Sequence, residues 1–283
     1  MVKKKGILDF LKMKKENKQV AWITAYDYPL ASFAEQAGID MILVGDSLGM
    51  VVLGYKGTNP VTMEDCISHC KAVRRGAPNT WVVGDMPFMS YQVSDADAVY
   101  NAGRFIKEAE VDCVKLEGGV RVASRIKAIV DAGIPVIGHI GLTPQSSGQL
   151  GGFKAQGRDV KNARALIKDA LAVQEAGAYA ILIEAVPPEV TAFIRKLLEI
   201  PVYSIGAGPA DGQLIISGDM LGLFQAFTPK FVKKYANVAE IEINAIKAYI
   251  DDVKNNVFPS DEHVYHIIDP IEEFEKMFKE FEK

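Results

Sequence analysis

The chain has 283 residues, of which 49% are hydrophobic and 24% charged, with a formal net charge of −4. Those proportions suit a folded protein with a sizeable core and exclude disorder or a need for disulfide staples. Without a basic stripe the chain lacks the electrostatic footprint of nucleic-acid binding, and no run reaches the ~18 apolar residues of a membrane span, so neither partner is expected.

In chain order, the lysine-rich opening MVKKKGILDFLKMKKENK has the charge of a signal peptide but a short apolar stretch broken by Asp9. A cytoplasmic location is expected. The first strand pattern is 20–27, followed by a helical pattern from Leu30 to Ala37 and the turn Ala37-Gly38. Strand 41–46 ends on Asp46. The helix Thr62 to Arg75 starts with Thr62 and Asp65 in capping positions, and carries Cys66, His69 and Cys70. Without a second ligand pair at metal spacing, those thiols read as buried side chains and not as zinc ligands.

Strand 81–86 carries Asp85, and the helix Ser94 to Ala109 leads to strand 113–117 with Lys115 and Glu117. The helix Val122 to Ala132 precedes strand 136–140 with His139. A Gly-, Ser- and Gln-rich insert, 141–158, is long for such a loop and reads as a lid or binding loop. The helix Lys161 to Ala176 leads to strand 180–184 with Glu184, then come the helix Glu189 to Leu198 and strands 201–206 and 213–216. Eight strands alternating with helices imply an α/β fold, an eightfold β/α (TIM) barrel with extra N- and C-terminal helices. One domain over 1–283 is expected, with the barrel at about 20–256 and a helical tail at about 257–283. In that tail Ile271, Phe274, Met277, Phe278 and Phe281 share one face, which must bury against the barrel or a neighbouring subunit.

Strands buried on both faces read as continuous apolar runs, so a charged residue at a strand's carboxyl end costs free energy and asks for a function. Five consecutive strands end this way, and in a barrel those ends share one face. Two carboxylates ~5 Å apart repel by roughly 3 kcal/mol at an effective dielectric of ~20, enough to recruit a cation. Asp46 and Asp85 are therefore candidate ligands, and an oxygen-only set favours Mg²⁺. Each alone could instead cap a helix. Glu184, behind four apolar residues and before Pro187-Pro188, is expected to be poorly solvated, as suits a general base or a buried partner of a basic residue. Lys115 could bind a substrate carboxylate, form a Schiff base or neutralise Glu117. His139 could donate to a substrate oxygen, ligate a metal or sit satisfied in the core. Ser47 could donate to a substrate carboxylate or cap a helix.

The segments VGDSLGM (44–50), PVTMEDCISHCKAVRRGAP (60–78), GDMPFMSY (84–91), VKLEGG (114–119), GHIGLTPQS (138–146), GGFKAQGR (151–158), EAVP (184–187), IGAG (205–208), DGQ (211–213) and KFVKKYAN (230–237) together resemble the ketopantoate hydroxymethyltransferase family. The resemblance runs in order from about residue 20 to 240. It implies a barrel of the phosphoenolpyruvate/pyruvate type in a cytoplasmic homo-oligomer, often a decamer. It further implies transfer of a hydroxymethyl group from 5,10-methylenetetrahydrofolate to α-ketoisovalerate through an enolate stabilised by Mg²⁺. The product, ketopantoate, serves pantothenate and coenzyme A synthesis. On the matching positions it implies Asp46 and Asp85 as Mg²⁺ ligands with Glu117 near the metal through water, Ser47, Lys115 and His139 as keto-acid contacts, and Glu184 as the base. Rival readings are a Mg²⁺-dependent carbon–carbon lyase of the isocitrate lyase type, which lacks its Lys-x-Cys-Gly context here, and a noncatalytic keto-acid sensor.

Overall fold

The computed structural model describes residues 4–282. Helix α1 (Ile7–Lys15) precedes β1 (Val20–Thr24), α2 (Tyr28–Gln36), β2 (Met41–Val44), the short α3 (Leu48–Val51), α4 (Met63–Gly76) and β3 (Trp81–Asp85). Next come α5 (Asp95–Ala109), β4 (Cys113–Glu117), α6 (Ala123–Asp131), β5 (Val136–Gly141), the short α7 (Ser147–Leu150) and α8 (Val160–Glu175). They are followed by β6 (Ala180–Glu184), α9 (Pro188–Leu197), β7 (Val202–Ile205), β8 (Gly212–Ile215), the short α10 (Ser217–Met220), α11 (Val238–Lys254) and α12 (Ile271–Lys279).

The eight strands close into one parallel barrel in sequence order, with β1 paired to β8. The expected β/α barrel is the observed one. Local chemistry sets the helix starts: Thr62 accepts from the Asp65 backbone N–H and Asp65 returns a bond to the Thr62 backbone, while Ser94 and Asp159 accept from the N–H of Asp97 and Asn162. Two apolar layers hold the barrel. One lies between helices and sheet, where Phe105, Ile126, Val173 and Ile194 are fully buried. The other fills the barrel with Trp22, Leu43, Trp81, Tyr179 and Tyr203. Phe10 of α1 joins this inner layer and meets Trp81 edge-on, with ring centroids 5.7 Å apart.

As the strand bounds 201–206 and 213–216 imply, residues 206–211 carry β7 to β8 without a helix, the one crossover where the β-α alternation lapses. Asp211 makes that short return possible: its carboxylate accepts from the Val202 N–H at 2.9 Å and pairs with Lys14 of α1 and Arg195 of α9. A cavity of about 640 Å³ lies beside this connection, lined among others by Lys14, Pro188, Arg195, Pro209 and Asp211, away from the polar strand ends. The chain divides into two compact units, Met1–Ala236 and Asn237–Lys283, and α11, which the sequence reading counts within the barrel, falls in the second.

Candidate active site

Side chains alternate along a strand, so one parity faces the barrel interior. Trp81 and Val83 of β3, Cys113 of β4, Ile137 of β5 and Ala180 and Leu182 of β6 all belong to the inner layer. Continuing each series by two residues gives Asp85, Lys115 and then Glu117, His139, and Glu184. The strand ends thus carry the same inward parity as the core beneath them. The register sets Asp85 beside Lys115 and Glu117 beside His139. Asp46 lies outside this series, beyond β2 and separated from it by Gly45.

These groups form one buried charge cluster. Relative exposure is 4% for Asp46, 1% for Asp85 and Glu117, 3% for Lys115 and 2% for His139. The Lys115 Nζ lies 2.6 Å from Asp85 Oδ1 and 3.9 Å from Glu117 Oε1, so Asp85 and not Glu117 is its main partner. Asp85 Oδ2 accepts the Asp46 backbone N–H at 3.0 Å. Burial pushes Asp85 up to about 6 against the pull of Lys115. Burial, then the Glu117 charge, also raises Asp46. For Lys115 burial acts downward, yet the charges of Asp85, Glu117 and Asp46 prevail and hold the ammonium above its ordinary value.

His139 lies between two carboxylates, with Nδ1 3.3 Å from Glu117 Oε1 and Nε2 3.2 Å from Glu184 Oε2. Neither ring nitrogen meets hydrogen-bond geometry, so these are contacts between charges. Burial and the Lys115 charge act downward on the imidazole, and the two carboxylates outweigh them, raising it to about 9. Glu184 has a side chain 15% exposed, and the basic residue beside it is His139. The residue after it, Ala185, has a left-handed backbone at φ 49°, a costly conformation for a residue with a side chain.

Ser47 is partly buried, its Oγ 2.8 Å from the Tyr26 hydroxyl. Three residues without a role in the sequence reading belong to the cluster: Tyr26, Tyr91 and Gln145. Gln145, in the segment after β5, donates from Nε2 to Asp46 Oδ2 and from its backbone to Glu117 Oε2. The Tyr91 hydroxyl donates to Gln145 Oε1 at 2.7 Å. Tyr91 and Gln145 stand in GDMPFMSY and GHIGLTPQS, but neither ends a strand, so strand-end logic passes over them. Cys66 and Cys70 are buried free thiols, as read from the sequence, and His69 meets the Tyr26 carbonyl.

Among the described residues no three His, Cys, Asp or Glu side chains gather into a metal-holding group. Mg²⁺ does not need one, since it is held by one or two carboxylates and keeps several waters. Asp46 and Asp85 are an oxygen-only pair of that kind. Glu117, which raises Asp46 by its charge, adds a third buried carboxylate, its Oε1 without a hydrogen-bond partner and 3.3 Å from His139 Nδ1. The donor set fits Mg²⁺.

A closed β/α barrel with titratable side chains gathered at the carboxyl ends of its strands is the arrangement of a β/α-barrel enzyme. Its fold matches 2,3-dimethylmalate lyase, described as a PEP mutase/isocitrate lyase superfamily member, with TM-score 0.58 and 15% identity over 98% of either chain. It also matches phosphoenolpyruvate phosphomutase from Streptomyces platensis subsp. rosaceus, with TM-score 0.60 and 18% identity over 98% of this chain and 99% of that one. The chain belongs to the ketopantoate hydroxymethyltransferase family, whose profile it matches over residues 4–261. It is 78% identical over 281 residues to the 3-methyl-2-oxobutanoate hydroxymethyltransferase of Alkaliphilus metalliredigens (strain QYMF), covering 99% of this chain and 100% of that protein.

Proposed function

We propose that the chain transfers a hydroxymethyl group from 5,10-methylenetetrahydrofolate to α-ketoisovalerate (3-methyl-2-oxobutanoate), giving ketopantoate for pantothenate and coenzyme A biosynthesis. The observation that carries this reading is the placement of Glu184 beside His139 on the same barrel rim as the acid pair Asp46 and Asp85. A carbon acid next to a carbonyl needs a base on one side and positive charge on the other.

Asp46 and Asp85 would hold Mg²⁺, with Glu117 reaching it through water. Bound there, Mg²⁺ supplies the positive charge that acidifies the methine hydrogen beside the keto group. Ser47 and Lys115, adjoining these acids, orient the keto acid through its oxygens. Glu184 takes the methine proton. His139, which the Glu117 and Glu184 carboxylates hold raised against burial, would donate toward the enolate oxygen and offset its charge as it forms. In the net transfer the enolate carbon bonds to the one-carbon unit, both C–N bonds of that unit to the folate break, water supplies the hydroxyl group, and the proton taken by Glu184 with the second proton of the water goes to the two nitrogens of the departing tetrahydrofolate. The reading includes a reducing, cytoplasmic setting, supported by Cys66, Cys70 and Cys113 being buried as free thiols.

The test is NMR of α-ketoisovalerate with the protein and Mg²⁺ in deuterated buffer without folate. Metal-dependent loss of the methine proton is expected, blocked by EDTA and followed by ketopantoate once the folate is added. Glu184→Gln is expected to bind keto acid and metal within about threefold of wild type and to slow exchange by at least about 10²-fold, the lower scale of general-base catalysis. Exchange at the wild-type rate in the variant would remove Glu184 as the base. Keto-acid binding without exchange or turnover by the wild type would replace the enzyme reading with a sensor.

A further inference from the structure

We propose that Gln145 is the positioning residue that fixes the Asp46 and Glu117 carboxylates in the geometry that holds a divalent cation, with Tyr91 fixing Gln145 in turn. The inference rests on the cation reading of the acid cluster given above.

The barrel alone does not hold Asp46 and Glu117 in mutual register. They belong to the ends of β2 and β4, and β3 lies between those strands. Gln145 spans that gap. Its Nε2 donates to Asp46 Oδ2 at 2.9 Å, after β2, and to the Met86 carbonyl at 2.9 Å, after β3. Its backbone N–H donates to Glu117 Oε2 at 3.0 Å, at the end of β4. One residue, carried by the segment after β5, therefore ties three successive strand ends together.

The amide suits this task as no other side chain of its size does. Both Nε2 hydrogens point to acceptors, while Oε1 accepts from the Tyr91 hydroxyl at 2.7 Å and from Gln92 Nε2 at 3.2 Å. Every donor and acceptor position of the side chain is used, which fixes its orientation. Being neutral, the amide orients the carboxylates without cancelling the negative charge that attracts a cation. Gln145 occupies Asp46 Oδ2 and Glu117 Oε2 and leaves the other oxygen of each carboxylate without a bond from it, Glu117 Oε1 facing His139 Nδ1 at 3.3 Å. Glu117 Oε1 is one of the buried oxygens without a hydrogen-bond partner. The Tyr91 hydroxyl also accepts the Glu117 backbone N–H at 3.1 Å, so tyrosine and glutamine hold the same strand end from two sides. Groups that orient metal ligands through hydrogen bonds control affinity without touching the metal.

The experiment measures Mn²⁺ binding by electron paramagnetic resonance on the full-length protein, without folate, alongside thermal unfolding of each metal-free variant. Gln145→Ala is expected to raise the Mn²⁺ Kd by about 10- to 100-fold. Tyr91→Phe, which keeps the ring packing, is expected to raise it by about 2- to 10-fold. The double variant is expected to match Gln145→Ala alone, because the tyrosine acts through the glutamine. Lowered unfolding temperatures with an unchanged Mn²⁺ Kd would overturn the proposal and leave the proposed function standing. Additive losses in the double variant would overturn the role of Tyr91 as the support of Gln145. If Gln145→Ala does not fold, an unchanged Kd in Tyr91→Phe overturns the proposal by itself. A wild type that binds no Mn²⁺ overturns both this proposal and the cation reading, whereas the deuterium exchange experiment addresses the base separately.

Discussion

His139 is fully enclosed and flanked by Glu117 and Glu184 at 3.3 and 3.2 Å, with Lys115 acting in the opposite sense. Its folded value of about 9 stands above its ordinary 6.5. A raised histidine binds its proton more tightly in the folded state, so its contribution is fully present below about pH 6.5 and is lost as pH rises through about 9. A difference of this size corresponds to about 3 kcal/mol. The unfolding free energy of the metal-free protein, measured by urea titration in EDTA, is expected to fall between pH 6.5 and 9.5 by about that much more in wild type than in His139→Gln. Equal pH slopes in the two proteins would show that the imidazole is not held protonated. At this scale the sequence was informative where a charge ends an apolar run, since such a charge has few reasons to be there. It was silent on Gln145, Tyr91 and Tyr26, whose roles come from partners as far away as Asp46, and hydrogen bonds across such separations leave no mark on local pattern.

Among the elements, β5 and β6 make the closest pairing at the site. Gly141, at the end of β5, sits opposite Glu184 with φ 91°, and a Cβ there would stand 2.3 Å from the Glu184 carbonyl oxygen and 2.8 Å from Val186 Cγ2. The same carbonyl accepts the Leu142 N–H at 2.8 Å, which launches the segment that carries Gln145. Gly141→Ala combines an unfavourable backbone region with a collision against backbone, so a loss of at least about 2 kcal/mol is expected in thermal unfolding. Because the collision displaces Glu184, kcat is expected to fall more than KM rises. Unchanged kcat in a destabilised protein would mean that strand pairing and base placement are uncoupled. Most strands were legible as short apolar runs such as MILV and AILIE, and the sites of the barrel helices were marked by caps such as Thr62 with Asp65. The bare β7 to β8 return was legible in the few residues left between strands 201–206 and 213–216, whereas the part of Asp211 in holding it, through Val202, Lys14 and Arg195, was not, because those partners are distant in sequence.

For the whole molecule, the second unit, Asn237–Lys283, presents large apolar side chains to water. Ile246 and Tyr249 on α11 are 59% and 57% exposed, Ile268 is 98% exposed, and Phe278 and Phe281 reach 50% and 76%. The stripe that the sequence placed on the tail helix is therefore present, and the sequence left its partner open because amphipathicity shows that a face must be buried without showing against what. Each Å² of such surface removed from water is worth about 25 cal/mol, so large apolar side chains left this exposed gain from being covered. Self-association is the expected outcome, in keeping with the homo-oligomer that the family resemblance implies. Sedimentation velocity at micromolar concentration is expected to show an assembly larger than one chain. Placing glutamate at Phe278 and Phe281 together should shift it toward smaller species without changing the keto-acid exchange rate per barrel, since both positions lie outside the unit that carries the strand-end cluster. A wild type that sediments as a single chain would refute self-association, and an assembly unchanged by the double substitution would move the interface away from α12.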